Sequence, residues 1–303
     1  FTPFLGVHIM SYWQGKKLVW NGDSISYGSQ LKDIRTAFPL LVAERLGMTV
    51  ANYAIGGATV AKKPDAYECA FADFKEWEAA MAEGRLDQKA TYMVKDNFFA
   101  PRPWRLYHYE DGQWVPSGTD NVDVARTPLV DRIEEMDTDA DVIGIMIGTN
   151  DFYYNWTAFG EMADGYYSRD AEHTVANPTT TFYGAMHTMM RKLLARYPGK
   201  DIFLVTPIKR VQQDGVGRGT WDYYYPEEKN GLGLTMNDYR RAIQEIAEYY
   251  SVPCIDLYAV SGFNPHIDPS LFGDKDEKVV HPNEEGHERM ASIITAFMKA
   301  YRC

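Results

Sequence analysis

The feature that most limits what this chain can fold into is a set of five short runs, each apolar through most of its length. They read "KLVW" (17–20), "MTVANYA" (48–54), "DVIGIMI" (141–147), "DIFLVT" (201–206) and "VPCIDL" (252–257). A strand with one wet face alternates apolar and polar residues, so a continuous apolar run implies cover on both faces. The intervening and following stretches supply that cover. "MNDYRRAIQEIAEYY" sets Met236, Tyr239, Ile243, Ile246 and Tyr250 on one helical face, with Thr235 and Asp238 spaced as a capping box. "FYGAMHTMMRKLLARY" does so with Tyr183, Met186, Met190, Leu193 and Leu194, and "MASIITAFMKAY" with Met290, Ile293, Ile294, Phe297 and Tyr301. Strands alternating with such helices predict an α/β protein around a five-stranded parallel sheet.

Composition narrows the function. The 303 residues are 45% hydrophobic, enough for a large core, and carry a net charge of -11. That charge argues against nucleic acid and against an anionic membrane surface as partners. No run approaches the roughly 18 apolar residues of a membrane-crossing helix, and no amphipathic basic helix marks a membrane anchor. The three cysteines, Cys69, Cys254 and Cys303, form neither a disulfide framework nor a zinc pattern and read as reduced or buried thiols. The amino terminus lacks a signal-peptide pattern. If Met10 is the native start the cytoplasm is slightly favoured, while an exported protein trimmed of its signal would look similar.

The expected organisation is one domain over residues 1–303. It is interrupted by an aromatic-rich insert at about 61–126 and by long loops at about 152–178 and 209–234. Connectors of such length are usually functional loops or lids.

In open parallel sheets, ligands bind beyond the carboxyl ends of the strands. There the chain places Gly22-Asp23-Ser24, then "NYAIGGATV" (52–60), then "GTND" (148–151), and, before the last helix, "VVHPNEEGH" (279–287). A hydroxyl, a glycine pair, an amide and an imidazole thus gather at one edge. Acyl transfer needs that set: a nucleophile, a base for its proton, and neutral donors for the developing oxyanion. Asp23 and Asp151 read as turn or network residues. Among the other histidines, His187 reads as packing, His287 as solvent-facing or capping, and His266 as a rival base.

These four blocks, in this order, resemble those of the SGNH (GDSL-type) serine hydrolases. The resemblance runs from about residue 16 to 300 and omits the insert. It implies a flavodoxin-like three-layer α/β/α fold, no metal or other cofactor, and ester or thioester substrates. Carried over, Ser24 is the nucleophile and His281 the base. Ser24 and Gly57 through their backbone N–H, and Asn150 through its side chain, form the oxyanion hole. Gly57 is chosen over Gly56 because it falls five residues after Asn52.

One position departs from the family. Where an Asp usually stands, three residues before the histidine, this chain has Lys278. Asp276 is the first candidate to orient His281, with Asp274 and Glu277 behind it; the alternative is a backbone carbonyl and a Ser–His dyad. This acidic stretch lacks the spacing of a calcium loop. Three functions follow: an esterase for small or carbohydrate-borne acyl groups, acetyl included; a lipase, lysophospholipase or thioesterase for longer chains; or an inactive binding protein on the same fold. Oligomeric state is not readable from the sequence.

Overall fold

The structure is a computed structural model. It describes residues 11–61, 70–71, 74–89, 92–95, 104–117, 128–154, 157–166, 179–213, 223–273 and 280–302. The chain opens with β1 (Lys17–Gly22), α1 (Ser24–Tyr27), α2 (Phe38–Leu46) and β2 (Thr49–Asn52). The insert follows with β3 (Ala70–Phe71), α3 (Phe74–Ala82), β4 (Tyr92–Lys95), β5 (Trp104–Glu110) and β6 (Gln113–Ser117). The chain then resumes with β7 (Val142–Met146), α4 (Thr149–Tyr154), α5 (Phe182–Arg196), β8 (Asp201–Val205), β9 (Gln212–Gln213) and β10 (Tyr223–Tyr224). It ends with α6 (Met236–Tyr249), β11 (Cys254–Ile255), α7 (Leu257–Val260) and α8 (Glu284–Tyr301).

The five expected strands form one sheet in the order β11-β8-β7-β1-β2, every neighbouring pair parallel. Alternate residues of each strand feed opposite cores. Val19, Ile143, Ile145, Ile202 and Leu204 pack under α5 and α6 with Met186, Met190, Tyr239 and Ile243. Leu18, Trp20, Val142, Phe203 and Val205 pack under α2 and α8 with Phe38, Val42, Met290 and Ile294. The result is the three-layer α/β/α sandwich, each fully buried aliphatic or Phe side chain contributing about 1.5–3 kcal/mol.

The last strand is the one most shortened relative to its sequence pattern. The run 252–257 yields only Cys254–Ile255 as strand, because Pro253 has no N–H for a ladder. The helical stripes also overreach: Leu194 and Tyr301, expected in the core, are 39% and 42% exposed. The capping box is present, with the Thr235 N–H donating to Asp238 Oδ2 at 2.7 Å.

The insert builds a second sheet, order β3-β4-β5-β6. Trp77, Tyr92 and Val94 form a separate small core, with Tyr107 and Trp114 packed against it. Of the cysteines, Cys69 and Cys303 lie outside the described residues. Cys254 is half-buried, and burial pushes its thiol up to about 12, which keeps it protonated and inert.

Candidate active site

Strand register decides what meets at the sheet edge. Gly22 is level with Met146, and Met146 with Val205, so β1, β7 and β8 end together. The residues just beyond them therefore emerge side by side.

Gly22 ends β1 where no side chain fits: a Cβ there would lie 2.3 Å from the Met146 carbonyl oxygen and 2.5 Å from Ser26 Oγ. Asp23 then caps α1, accepting the Ile25 N–H at 2.9 Å. Ser24 is the first residue of that helix. Its Oγ lies 2.9 Å from His281 Nε2 across 257 residues of sequence, the geometry of a hydroxyl whose proton a neutral imidazole can take.

His281 is held by the loop before α8. Its carbonyl accepts the Gly273 N–H at 2.9 Å, and the Asn283 N–H donates to the Leu271 carbonyl at 3.0 Å. The Asn283 amide reaches the Ser270 and Phe272 carbonyls, while its oxygen caps α8 by accepting the Gly286 N–H. Asp276, Asp274, Glu277 and Lys278 lie outside the described residues.

The glycine loop runs beside Ser24. Ile55 donates to the Gly22 carbonyl at 3.1 Å, prolonging the β1–β2 ladder. A Cβ on Gly56 would stand 4.0 Å from Ser24 Cβ, and Gly57 adopts φ 74°, a left-handed conformation that favours glycine. Asn52 ties this loop to α1, donating to the Ser26 carbonyl at 2.8 Å.

The first residues of α4 grip the same loop. Asn150, 2% exposed, donates from Nδ2 to the Ala58 carbonyl at 2.9 Å. Asp151, also buried, accepts the N–H groups of Val60 at 3.0 Å and Ala61 at 3.4 Å. Both motif aspartates thus act inside the scaffold, as expected. Burial raises the Asp23 carboxyl to about 6, against its backbone donors and the Arg210 charge. Burial also raises Asp151 to about 7, with the Asp23 charge adding to the effect.

Arg210 is the residue that sequence reasoning missed. It is 2% exposed and follows β8. Its Nε donates to Thr149 Oγ1 at 2.7 Å and its Nη2 to Asn150 Oδ1 at 3.3 Å. The only signal in the sequence is position, just past a strand end and at the start of the long 209–234 stretch.

The other histidines sit elsewhere. His187 is buried between the Tyr250 hydroxyl and the Met162 carbonyl. His266 pairs with Glu227 and stacks on Tyr225, so it is His281 that meets Ser24. His287 is fully buried, stacked on Phe38, and accepts the Phe38 N–H at the start of α2. It caps a helix other than its own. Among the described residues no group of three His, Cys, Asp or Glu side chains is arranged to hold a metal ion, and no helix is long and apolar enough to cross a membrane.

Comparison with known proteins is consistent with this architecture. No curated protein sequence matches the chain. A solved structure from Lactobacillus plantarum is 20% identical, with TM-score 0.58, covering 95% of this chain and 98% of that one. A possible lipase from Chitinophaga pinensis is 15% identical, with TM-score 0.52, covering 94% and 98%. A salicylyl-acyltransferase from a tetracycline biosynthetic pathway is 15% identical, with TM-score 0.51, covering 95% of this chain and 55% of its own. At these identities the likeness is one of fold. The GDSL-like lipase/acylhydrolase family profile matches residues 115–289, a span that holds Asn150 and His281 and begins after Ser24 and Gly57. Since that match takes in more than half of the chain, and the fold carries the remaining blocks to the same edge, the chain belongs to the GDSL-like lipase/acylhydrolase (SGNH hydrolase) family.

Proposed function

We propose that this chain is a serine esterase that hydrolyses carboxylic esters of small or carbohydrate-borne acyl groups, acetyl among them. The observation that carries the reading is the 2.9 Å separation of Ser24 Oγ and His281 Nε2 at the carboxyl edge of the sheet. His281 takes the Ser24 proton as Oγ attacks the ester carbonyl. The oxyanion is held by the backbone N–H groups of Ser24 and Gly57 and by Asn150 Nδ2. As the tetrahedral adduct collapses, imidazolium gives its proton to the departing alcohol and leaves an acyl-enzyme. Water, deprotonated by His281, then attacks the acyl carbonyl and releases the acid and free Ser24. Asp276 is assigned the part of orienting the imidazole.

The test is hydrolysis of a chromogenic ester series, acetyl to long acyl, by wild type, Ser24→Ala and His281→Ala. Loss of kcat on the order of 10⁴-fold or more in both variants, at unchanged thermal stability, is the expected result. Wild-type rates retained by Ser24→Ala would refute the serine mechanism. A chain-length optimum well above acetyl would move the assignment to a lipase or thioesterase, the second reading.

A further inference from the structure

Asn150 can stabilise an oxyanion only if its NH2 end, not its carbonyl end, faces the substrate's carbonyl oxygen. Nothing in the amide's own shape ensures this, because the two ends are nearly the same size. The surroundings do. On one side stands Arg210, whose guanidinium has only donors, so the atom 3.3 Å from Nη2 is Oδ1. On the other stands the Ala58 carbonyl, which only accepts, so the atom 2.9 Å from it is Nδ2. Turning the amide over would set donor against donor and acceptor against acceptor in a buried site. In the observed orientation one Nδ2 hydrogen is used on Ala58 and the second stays available for substrate.

Arg210 itself is fixed at several points. Nε is held by Thr149 Oγ1 at 2.7 Å, the guanidinium carbon lies 4.4 Å from the centroid of the Tyr153 ring, and the Tyr153 hydroxyl donates to the Arg210 carbonyl. Thr149, Asn150 and Tyr153 all belong to α4. The arginine therefore reads the same helix it orients. A buried cation on the amide oxygen also draws electron density from nitrogen and strengthens the remaining N–H as a donor.

We propose that Arg210 is a positioning residue for the oxyanion hole, locking and polarising the Asn150 amide through the Nη2–Oδ1 contact while Thr149 and Tyr153 hold the guanidinium in place. This rests on the esterase reading above, and the experiment separates the two. Arg210 is buried against Thr149, Asn150 and Tyr153, so its effect on the reaction is expected to pass through Asn150.

The experiment is a double-mutant cycle on an acetyl ester. Arg210→Lys keeps the charge and loses the planar fork. It is expected to lower kcat by about 10- to 100-fold, the value of a charged hydrogen bond, with KM within about twofold. Asn150→Ala is expected to cost about 10²–10³-fold. In the Asn150→Ala background, Arg210→Lys is expected to change kcat by less than about twofold, the non-additivity of residues acting as a unit. Losses that multiply in the double variant would overturn the proposal, as would a rise in KM at unchanged kcat. Should Arg210→Lys fail to fold, by thermal melt and gel filtration, Thr149→Val removes the second anchor and keeps the arginine. A several-fold loss of kcat that disappears in the Asn150→Ala background supports the proposal, and a loss that persists there overturns it. If Ser24→Ala retains activity, the esterase reading falls first. If Ser24→Ala is inactive while the Arg210–Asn150 coupling is absent, only the present proposal falls.

Discussion

Replacing Asp151 by Asn tests the electrostatics of the scaffold independently of catalysis. The Asp151 carboxyl titrates at about 7 in the fold, against 3.8 for the ordinary group, because it is buried. A carboxylate with a raised folded value binds its proton more tightly in the native state than in the unfolded one. Its contribution is therefore fully present below about 4, falls as pH rises, and levels off above about 7. Between pH 5 and 7 the unfolded chain is ionised here and the folded chain is not, so wild type loses about 1.4 kcal/mol per pH unit, or about 2–3 kcal/mol in all. Asn keeps an oxygen to accept the Val60 N–H and has no such term. His187 and His287, which burial lowers to about 4, act in the opposite sense and weaken the fold as pH falls below about 6.5. Both occur in both proteins and cancel in the difference. Chemical denaturation of wild type and Asp151→Asn at pH 5 and pH 8 reads that difference directly. The variant should gain on wild type by about 2–3 kcal/mol between the two values. An equal gap at both would mean that Asp151 ionises like a solvated acid, and the desolvation argument would be wrong.

Gly22→Ala forces a Cβ to within 2.3 Å of the Met146 carbonyl oxygen, and the backbone must shift at the turn that carries Ser24. Destabilisation of about 1–3 kcal/mol in thermal denaturation and a fall in kcat are expected; a variant matching wild type in both would contradict the close approach. Trp77→Ala empties the centre of the insert's core and should cost about 3–5 kcal/mol there. Hydrogen exchange is expected to accelerate across 74–89, 92–95 and 104–117 and to leave Val142–Met146 and Asp201–Val205 unchanged; joint loss of protection would mean that the two cores unfold as one. Asp276→Asn is expected to lower kcat by about 10⁴-fold if this residue sets the His281 tautomer. Unchanged kcat would transfer the role to Asp274, Glu277 or a backbone carbonyl.

The features legible in the sequence are those determined by neighbours along the chain or by the sheet as a whole. The five central strands could be read because burial on both faces leaves little choice but apolar residues. The capping box of α6 could be read because both partners lie within one turn. The insert's sheet could not be read so easily: β5 mixes Trp104, Arg105, Tyr107 and His108, and no clean period separates its faces. One short-range signal does stand there. Asp111-Gly112, with φ 48° and 85°, is the two-residue turn that joins β5 to β6, and Asp-Gly between aromatic runs is a strong short-range hairpin cue. Ser24 and His281 were found across 257 residues because a topological rule sends both to the same edge. No comparable rule points to Arg210. A Lys-Arg pair in a long loop looks like a solvated surface, and a buried cation is rare enough that composition argues against it. Its contacts become visible only once β8 is known to lie beside β7, which brings residue 210 onto the helix that follows residue 146. His287 follows the same logic, since its partner Phe38 starts a helix 249 residues away. Contacts that cross between elements depend on strand order and helix packing, so Arg210 and His287 emerge only after Ser24 and His281 have been placed.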